Sequence, residues 1–239
     1  MDSSLQEQID FYSEFKEWYL NIIKEFSFDH QKDCEARDYL SNVLKQKFNN
    51  WNFEGVLNSF KNLIQEKSII VIYGCGPSLE DTVGFLLKNR GTYVFNNYIN
   101  LAADGASVLL RNLGIPIDAI FTDLDGVTIN EFNYSEFIVV HAHGDNIEKL
   151  KYFKEEILKF EKIIGTTQVK PLKNLINPGG FTDGDRILYF LRELLLPKHK
   201  LFLIGMDFNG IIGKYSKPEM TEHQKSSPIK FKKLSLNSP

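Results

Sequence analysis

The segment Thr-Asp-Leu-Asp-Gly at 122–126 has residue types and a spacing that suit metal chemistry. Residues two apart on an extended chain point to the same side, so Asp123 and Asp125 are predicted to face one pocket at a strand end. Two such carboxylates repel each other unless a cation or a shared proton lies between them. Because Mg²⁺ prefers oxygen ligands, we predict a magnesium site, with a plain turn at Gly126 as the alternative.

The segment His-Ala-His-Gly-Asp-Asn at 141–146 follows another apolar run. By the same alternation His141, His143 and Asp145 share a face, and three such groups are a donor set for zinc. No cysteine flanks them, so hydrogen bonding to substrate or phosphate is the favoured interpretation. A polar turn with Asp145 as a helix cap is the alternative.

A glycine-rich turn at 74–78 connects an apolar run to a predicted helix. Gly74 and Gly76 would present backbone N–H groups beside Ser78 at a helix N-terminus, where phosphate binds readily, and Pro77 suits the first helical turn. A tight turn capped by Ser78 explains the pattern equally well. The segment is not a dinucleotide fingerprint, because Leu79 replaces the third glycine, and it is not a Walker loop.

A second glycine-rich segment, at 179–186, also enters a predicted helix. Thr182 and Asp185 have the spacing of a capping box. Asp183 and Arg186 in the same turn exceed what a cap requires, and an arginine can bind phosphate through two parallel hydrogen bonds.

Seven aspartates follow predicted strands or lie in the loops just beyond them: Asp104, Asp123, Asp125, Asp145, Asp183, Asp185 and Asp207. On a parallel sheet they crowd one rim, which is costly without bound cations. The combination predicts a magnesium–nucleotide site for phosphoryl or pyrophosphoryl transfer.

The elements that position these residues form a predicted α/β fold, a Rossmann-like, mostly parallel sheet flanked by helices. Strands are predicted at 69–73, 92–95, 119–121, 137–140, 162–164 and 200–204, and helices at 79–88, 105–113, 146–160 and 182–196. Ligands of such sheets bind beyond the carboxyl ends of the strands. We predict a helical N-terminal region (1–66), an α/β catalytic domain (67–210) and a basic tail (211–239) that helps to close the site.

The composition excludes several classes of protein. A length of 239 residues suits one large domain, and a net charge of -3 lacks the footprint of a nucleic-acid binder. No apolar stretch is long enough to span a membrane, and two cysteines cannot build a disulfide framework. We expect a cytoplasmic protein with small-molecule partners, without nucleic acid or membrane, and leave a homodimer open.

The order and spacing of six segments resemble the archaeal-type 6-hydroxymethyl-7,8-dihydropterin pyrophosphokinase family over nearly the whole chain. These are GCGPSLE at 74–80, AADGA at 102–106, TDLDG at 122–126, HAHGDN at 141–146, GGFTDGDR at 179–186 and GMDF at 205–208. The resemblance implies Mg²⁺-dependent transfer of pyrophosphate from ATP to the dihydropterin, giving AMP and the pterin diphosphate. The pathway would lead to folate or a methanopterin-type carrier.

The site that the motifs and this resemblance imply has four sets of residues. Similarity to thiamin pyrophosphokinases, which share shorter elements, adds the metal ligands Asp104, Asp123, Asp125 and Asp145. The catalytic residues are predicted to be Asp123, Asp125, His143, Asp145 and Arg186. Nucleotide or phosphate would contact Gly74, Gly76, Pro77, Ser78, Asp104, Gly105 and Lys217, and the pterin would contact His141, Asn146, Thr182 and Asp183.

Three other functions remain as alternatives. A thiamin pyrophosphokinase should carry a β-sandwich domain, and no such run of strands is predicted after Gly210. A CMP-sugar glycosyltransferase related to motility-associated factors shares the Gly-x-Gly-Pro-Ser-Leu element but would tolerate loss of Asp123 and Asp125. A non-catalytic nucleotide-binding module would bind ATP without releasing AMP.

Overall fold

A computed structural model describes residues 3–47, 51–207 and 213–216. Its strands are β1 (Ile69–Tyr73), β2 (Ile99–Ala103), β3 (Ile117–Thr122), β4 (Ser135–Ala142), β5 (Ile163–Thr167) and β6 (Lys200–Ile204). They form one sheet in the order β5-β4-β3-β2-β1-β6, and every neighbouring pair is parallel. The predicted α/β class with a mostly parallel sheet is therefore confirmed.

Helices precede the sheet and cover both of its faces. They are α1 (Leu5–Gln8), α2 (Tyr12–Phe26), α3 (His30–Lys45), α4 (Phe53–Glu66), α5 (Leu79–Arg90), α6 (Ala106–Asn112), α7 (Ile129–Phe132), α8 (Ile147–Tyr152), α9 (Lys154–Lys159) and α10 (Asp183–Leu191). One core contains residues of α3, α5, α6, α8 and α9, and the other contains residues of α1, α4 and α10. Among the described residues, no helix is both long and apolar enough to cross a membrane.

Strand β1 shows why the apolar runs of this sequence are uninterrupted. Val71 and Tyr73 belong to the core that contains α3, whereas Ile70 and Ile72 belong to the core that contains α4. Successive side chains of a strand point to opposite faces, so a strand covered by helices on both sides needs apolar residues at every position.

The predicted strand at 92–95 is wrong. Residues Thr92–Asn97 form a 3₁₀-helix, and β2 begins two residues later. Tyr93 is 71% exposed, whereas every residue of β2 is buried. Asn100 interrupts the apolar pattern of β2, but its amide is fully used, because it donates to the Phe95 carbonyl and accepts from the Tyr73 hydroxyl.

The predicted helix at 146–160 is also wrong as a single element. A 3₁₀-helix at Gly144–Asn146 leads into α8, and a break at Phe153 separates α8 from α9. The Phe153 ring turns inward and stacks on Phe132 at 5.3 Å between ring centroids.

Helix α10 ends at Leu191, short of the predicted 196. Of the predicted tail, only residues 213–216 are described, so Lys217 lies outside the described residues.

Replacing Phe60 by alanine should lower the free energy of unfolding by about 3–5 kcal/mol, because a fully buried aromatic ring leaves a cavity. Its ring contacts the Phe121, Phe137 and Phe190 rings edge to face, with centroids 5.2–6.2 Å apart. Urea unfolding measures the loss. The control is Phe85→Ala on α5, where the side chain is 66% exposed and the change should stay within about 0.5 kcal/mol. Equal losses in the two variants would contradict the packing described.

Candidate active site

A cavity of about 500 Å³ lies at the carboxyl ends of the strands. The residue that follows each strand is part of its wall: Gly74, Asp104, Asp123, His143, Gln168 and Gly205. The α2–α3 turn and the first turn of α10 contribute further lining residues. All seven aspartates singled out from the sequence line this one cavity, together with Gly76, His141, Thr182 and Arg186. Pro77, Ser78, Gly105 and Asn146 are not among the lining residues.

Three carboxylates at the cavity wall form a group able to hold a metal ion. One oxygen each of Asp104, Asp123 and Asp183 lies within 4.8 Å of the other two. Asp183, which the sequence analysis assigned to the substrate, thus belongs to this group, whereas Asp125 and Asp145 do not. Three oxygen donors are a ligand set for Mg²⁺ rather than for a softer metal.

The backbone at 122–126 explains why Asp125 is separate from the cluster. Leu124 adopts a left-handed conformation with φ 74°, and the Asp125 N–H donates to Asp123 Oδ1 at 3.2 Å. The segment is a tight turn, so the premise of an extended chain is wrong, although both aspartates line the one cavity as predicted. The structural alternative, a turn ending at Gly126, describes the backbone correctly.

Asp104 is fixed in the cluster by its neighbours. The Thr122 hydroxyl and the Gly126 N–H both donate to Asp104 Oδ1, at 2.6 and 3.1 Å. A side chain at position 126 would meet the Asp104 carboxylate at 2.2 Å, so only glycine fits there. Asp104 itself has φ 44°, a conformation that costs energy in a residue with a side chain.

The three clustered carboxylates differ in their affinity for protons. Burial, followed by the Asp123 charge, raises the pKa of Asp104 to about 7. Burial and the charges of Asp123 and Asp104 raise the pKa of Asp183 well above its usual range. Burial acts in the same direction on Asp123, but the hydrogen bonds from His143 and the Asp125 N–H, together with the Arg186 charge, outweigh it and lower the pKa of Asp123. Asp123 is therefore the most readily ionised of the three carboxylates.

Positive charge in the described wall comes from two side chains, Arg186 and Lys32, against nine aspartates. Arg186 is 3% exposed, and its Nη1 lies 3.3 Å from Asp183 Oδ1. Burial lowers the pKa of Arg186, and the neighbouring aspartates oppose this shift. With this excess of negative charge, bound cations would stabilise the ionised cavity.

His143 is oriented by hydrogen bonds on both sides of its ring. The Asp145 N–H donates to Nδ1 at 3.3 Å, which leaves the ring proton on Nε2, and Nε2 lies 3.3 Å from Asp123 Oδ2. The ring therefore donates to Asp123. Its centroid lies 5.9 Å from that of His141, so the two histidines share a face as predicted. In the described part of the chain, no group able to hold a metal includes either histidine.

Asn146 and Asp33 hold the 141–146 segment in place. The Asn146 amide donates to the Asp123 and His141 carbonyls and accepts from the His143 N–H, so it braces neighbouring strand ends. Asp33 on α3 accepts from the Gly144 N–H at 2.6 Å and from the Tyr19 hydroxyl. The sequence analysis missed Asp33. The sequence feature that could have identified Asp33 is its helical spacing from the apolar residues of α3, which places a carboxylate on the buried side of that helix.

Three N–H groups of the 74–78 turn, those of Gly74, Gly76 and Ser78, are already paired within the protein. Those of Gly74 and Gly76 donate to the Ile204 and Gly205 carbonyls. Both the N–H and the hydroxyl of Ser78 donate to Asp207 Oδ2, at 2.9 and 2.8 Å. Ser78 therefore does not cap α5, and that alternative is wrong. Phosphate binding by this turn stays a prediction, and a phosphate at Ser78 would have to displace Asp207.

The capping box predicted at α10 is confirmed. The Asp185 N–H donates to the Thr182 hydroxyl, and Asp185 Oδ1 accepts from the N–H groups of Phe181 and Thr182. The cap fixes the first turn of α10, which presents Asp183 and Arg186 to the cavity.

The family model described as 6-hydroxymethylpterin diphosphokinase MptE-like matches residues 41–212. The chain belongs to this family. The matched region contains the three clustered aspartates and Arg186, whereas Asp33 precedes it.

Three archaeal relatives are named 6-hydroxymethyl-7,8-dihydropterin pyrophosphokinase. The protein from Pyrococcus furiosus is 36% identical over 225 residues, which cover 93% of this chain and 89% of the relative. That from Methanocaldococcus jannaschii is 37% identical over 235 residues, with coverages of 92% and 91%. That from Methanothermobacter thermautotrophicus is 33% identical over 225 residues, with coverages of 92% and 89%. The family expected from the sequence segments is thus confirmed.

Without divalent cations, the free energy of unfolding should fall as the pH rises from about 4 to about 7. Folded Asp104 keeps its proton up to a pKa of about 7, whereas an unfolded aspartate loses it near 3.8. The folded state thus binds more protons in this window, and raising the pH favours unfolding. Urea unfolding in EDTA at several pH values measures the slope. The slope should be smaller in Asp104→Asn, and equal slopes in the two proteins would refute the assignment.

Proposed function

We propose that this protein is an ATP-dependent 6-hydroxymethyl-7,8-dihydropterin pyrophosphokinase. It transfers the pyrophosphoryl group of ATP to the hydroxymethyl oxygen, giving AMP and the pterin diphosphate on a route to folate or a methanopterin-type carrier. The names of the three archaeal relatives support the reaction and its pterin substrate. The observation that carries the proposal is the cluster of Asp104, Asp123 and Asp183 beside buried Arg186. Phosphoryl-transfer chemistry depends on positioning and on neutralising phosphate charge.

Asp104, Asp123 and Asp183 are the residues that would hold Mg²⁺. Carboxylate oxygens suit this ion, and the bonds from Thr122 and Gly126 keep Asp104 in a fixed position for it. Bound there, the ion would neutralise phosphate oxygens of ATP. This ligand set replaces Asp125 and Asp145 of the sequence prediction by Asp183.

Arg186 is proposed to bind phosphate oxygens of ATP. Its guanidinium lies in the cavity wall against Asp183, and a planar guanidinium can bind phosphate through two hydrogen bonds. Because the side chain is buried, water screens its charge weakly.

His143 and Asp145 have different proposed roles when the pterin hydroxyl attacks. His143 already carries a proton on Nε2, so it orients Asp123 and does not act as the base. Asp145 is exposed in the cavity wall and accepts the hydroxyl proton as the new O–P bond forms. The bond from the β-phosphorus to the bridging oxygen breaks, and AMP leaves. A loose transition state requires only a weak base.

The purified protein with ATP and Mg²⁺ should release AMP only when 6-hydroxymethyl-7,8-dihydropterin is added. Chromatography measures AMP, and phosphorus NMR identifies the pterin diphosphate. Asp123→Asn should lower kcat at least about 100-fold, because it removes an ionised carboxylate from the cluster. The matched control is Glu155→Gln, an exposed carboxylate on α9, which should keep full activity.

Other outcomes of this assay would overturn the proposal. AMP release with thiamin alone would indicate a thiamin pyrophosphokinase. ATP binding without AMP release from either acceptor would indicate a nucleotide-binding module. Full activity of Asp123→Asn would remove the carboxylate cluster from the mechanism.

The Mg²⁺ concentration for half-maximal activity should separate the two candidate ligand sets. Asp183→Asn removes a proposed ligand and should raise this concentration at least about tenfold. Asp125→Asn lies outside the cluster and should leave it within about twofold. If Asp125→Asn raised this Mg²⁺ concentration more than Asp183→Asn did, the ligand set predicted from the sequence would be favoured.

A further inference from the structure

Two buried acceptor atoms of the cavity wall have no hydrogen-bond partner in the described protein: Asp185 Oδ2 and His141 Nε2. The two side chains are 9% and 2% exposed, and both residues line the cavity. Buried polar atoms are nearly always paired with protein, water or ligand. These two atoms are therefore candidates for ligand contacts.

The bonds made by the rest of each side chain show that both atoms are acceptors. Asp185 Oδ1 accepts from the Phe181 N–H, the Thr182 N–H and the Thr182 hydroxyl. Burial raises the pKa of Asp185, and these three donors oppose that shift because they favour the ionised carboxylate. His141 Nδ1 lies 3.0 Å from the Thr166 hydroxyl oxygen, whose own proton goes to the Val140 carbonyl. The His141 proton is thus on Nδ1, and Nε2 keeps a free lone pair. A ligand of this region must supply N–H or O–H donors.

Two aromatic residues line the same cavity as the unpaired carboxylate oxygen. Phe181, whose N–H binds Asp185, lines the cavity with Phe28 from the α2–α3 turn. Their ring planes differ by 16°, with centroids 6.4 Å apart. The rings of Trp18 and Phe181 meet edge to face, with centroids 6.1 Å apart. Flat aromatic faces favour planar ring systems.

We propose that these residues form the subsite for the 2-amino-4-oxopyrimidine ring of the pterin, an inference that rests on the proposed function. The ring lies against Phe181 and Phe28. Its 2-amino and N3–H donors meet Asp185 Oδ2, and a further N–H of the bicycle meets His141 Nε2. Asp185 is then the residue that determines specificity for the 2-amino group.

Asp185→Asn tests this assignment because the asparagine oxygen can keep the cap of α10 while an NH₂ group replaces Oδ2. Calorimetry on the full chain, without ATP, compares 6-hydroxymethylpterin with its 2-oxo analogue, 6-hydroxymethyllumazine. The wild type should prefer the pterin. The variant should bind the pterin about 10- to 100-fold more weakly and should lose or reverse that preference, because its amide now donates toward the 2-oxo group.

Two further measurements separate recognition from folding and from the general function. If Asp185→Asn has the same thermal midpoint as the wild type and the same affinity for a non-hydrolysable ATP analogue, its loss of pterin affinity is confined to the pterin subsite. His141→Asn, which can keep the bond to Thr166 but lacks Nε2, should also weaken pterin binding. It should leave the discrimination against the 2-oxo analogue in place.

Each outcome bears on one of the two proposals. Wild-type turnover of the pterin with unchanged selectivity in Asp185→Asn overturns the subsite and leaves the function standing. A wild type that neither binds nor turns over the pterin overturns the function. If Asp185→Asn does not fold, Asp185→Glu replaces it as the test, because this variant keeps a carboxylate but moves it. If Asp185→Glu discriminates between the pterin and the lumazine as the wild type does, the proposed role of Asp185 is refuted.

Discussion

Negative charge crowded at one rim of a parallel sheet is the constraint on which the rest of this structure depends. The oxygens of Asp104, Asp123 and Asp183 lie within 4.8 Å of one another, and like charges so close oppose full ionisation. Asp123 is ionised most readily because His143 donates to it, while burial raises the pKa of Asp104 and Asp183. The site therefore stores unfavourable electrostatic energy that a divalent cation would relieve.

The N-terminal helices are part of the machinery that holds this charge. Asp33 on α3 receives the Gly144 N–H and the Tyr19 hydroxyl, so α2, α3 and the His143 loop are joined through one carboxylate. From the other side Asn146 binds the backbone of Asp123. The orientation of His143, and through it the protonation of Asp123, thus depends on residues far from the rim in sequence.

The cavity is lined by two chemically different groups of side chains. The clustered aspartates and Arg186 suit phosphates and cations. Phe28 and Phe181, with the unpaired acceptors of Asp185 and His141, suit a flat ring that carries N–H donors. Helix α10 contributes to both, because its capping box fixes Asp185 while the same turn presents Asp183 and Arg186.

The sequence by itself determined the sheet class, the approximate positions of five of the six strands and the family, because apolar runs and polar turns are local patterns. It also determined that seven aspartates gather at one rim, since parallel strands end together. Only the tertiary structure decided which of them meet. The left-handed turn at Leu124 separates Asp125 from the cluster, and α10 brings Asp183 into it. Asp33 was missed for the same reason, because it accepts from Gly144, which is distant in sequence, and local pattern carries no information about such partners. Ser78 likewise donates to the distant Asp207 instead of capping α5.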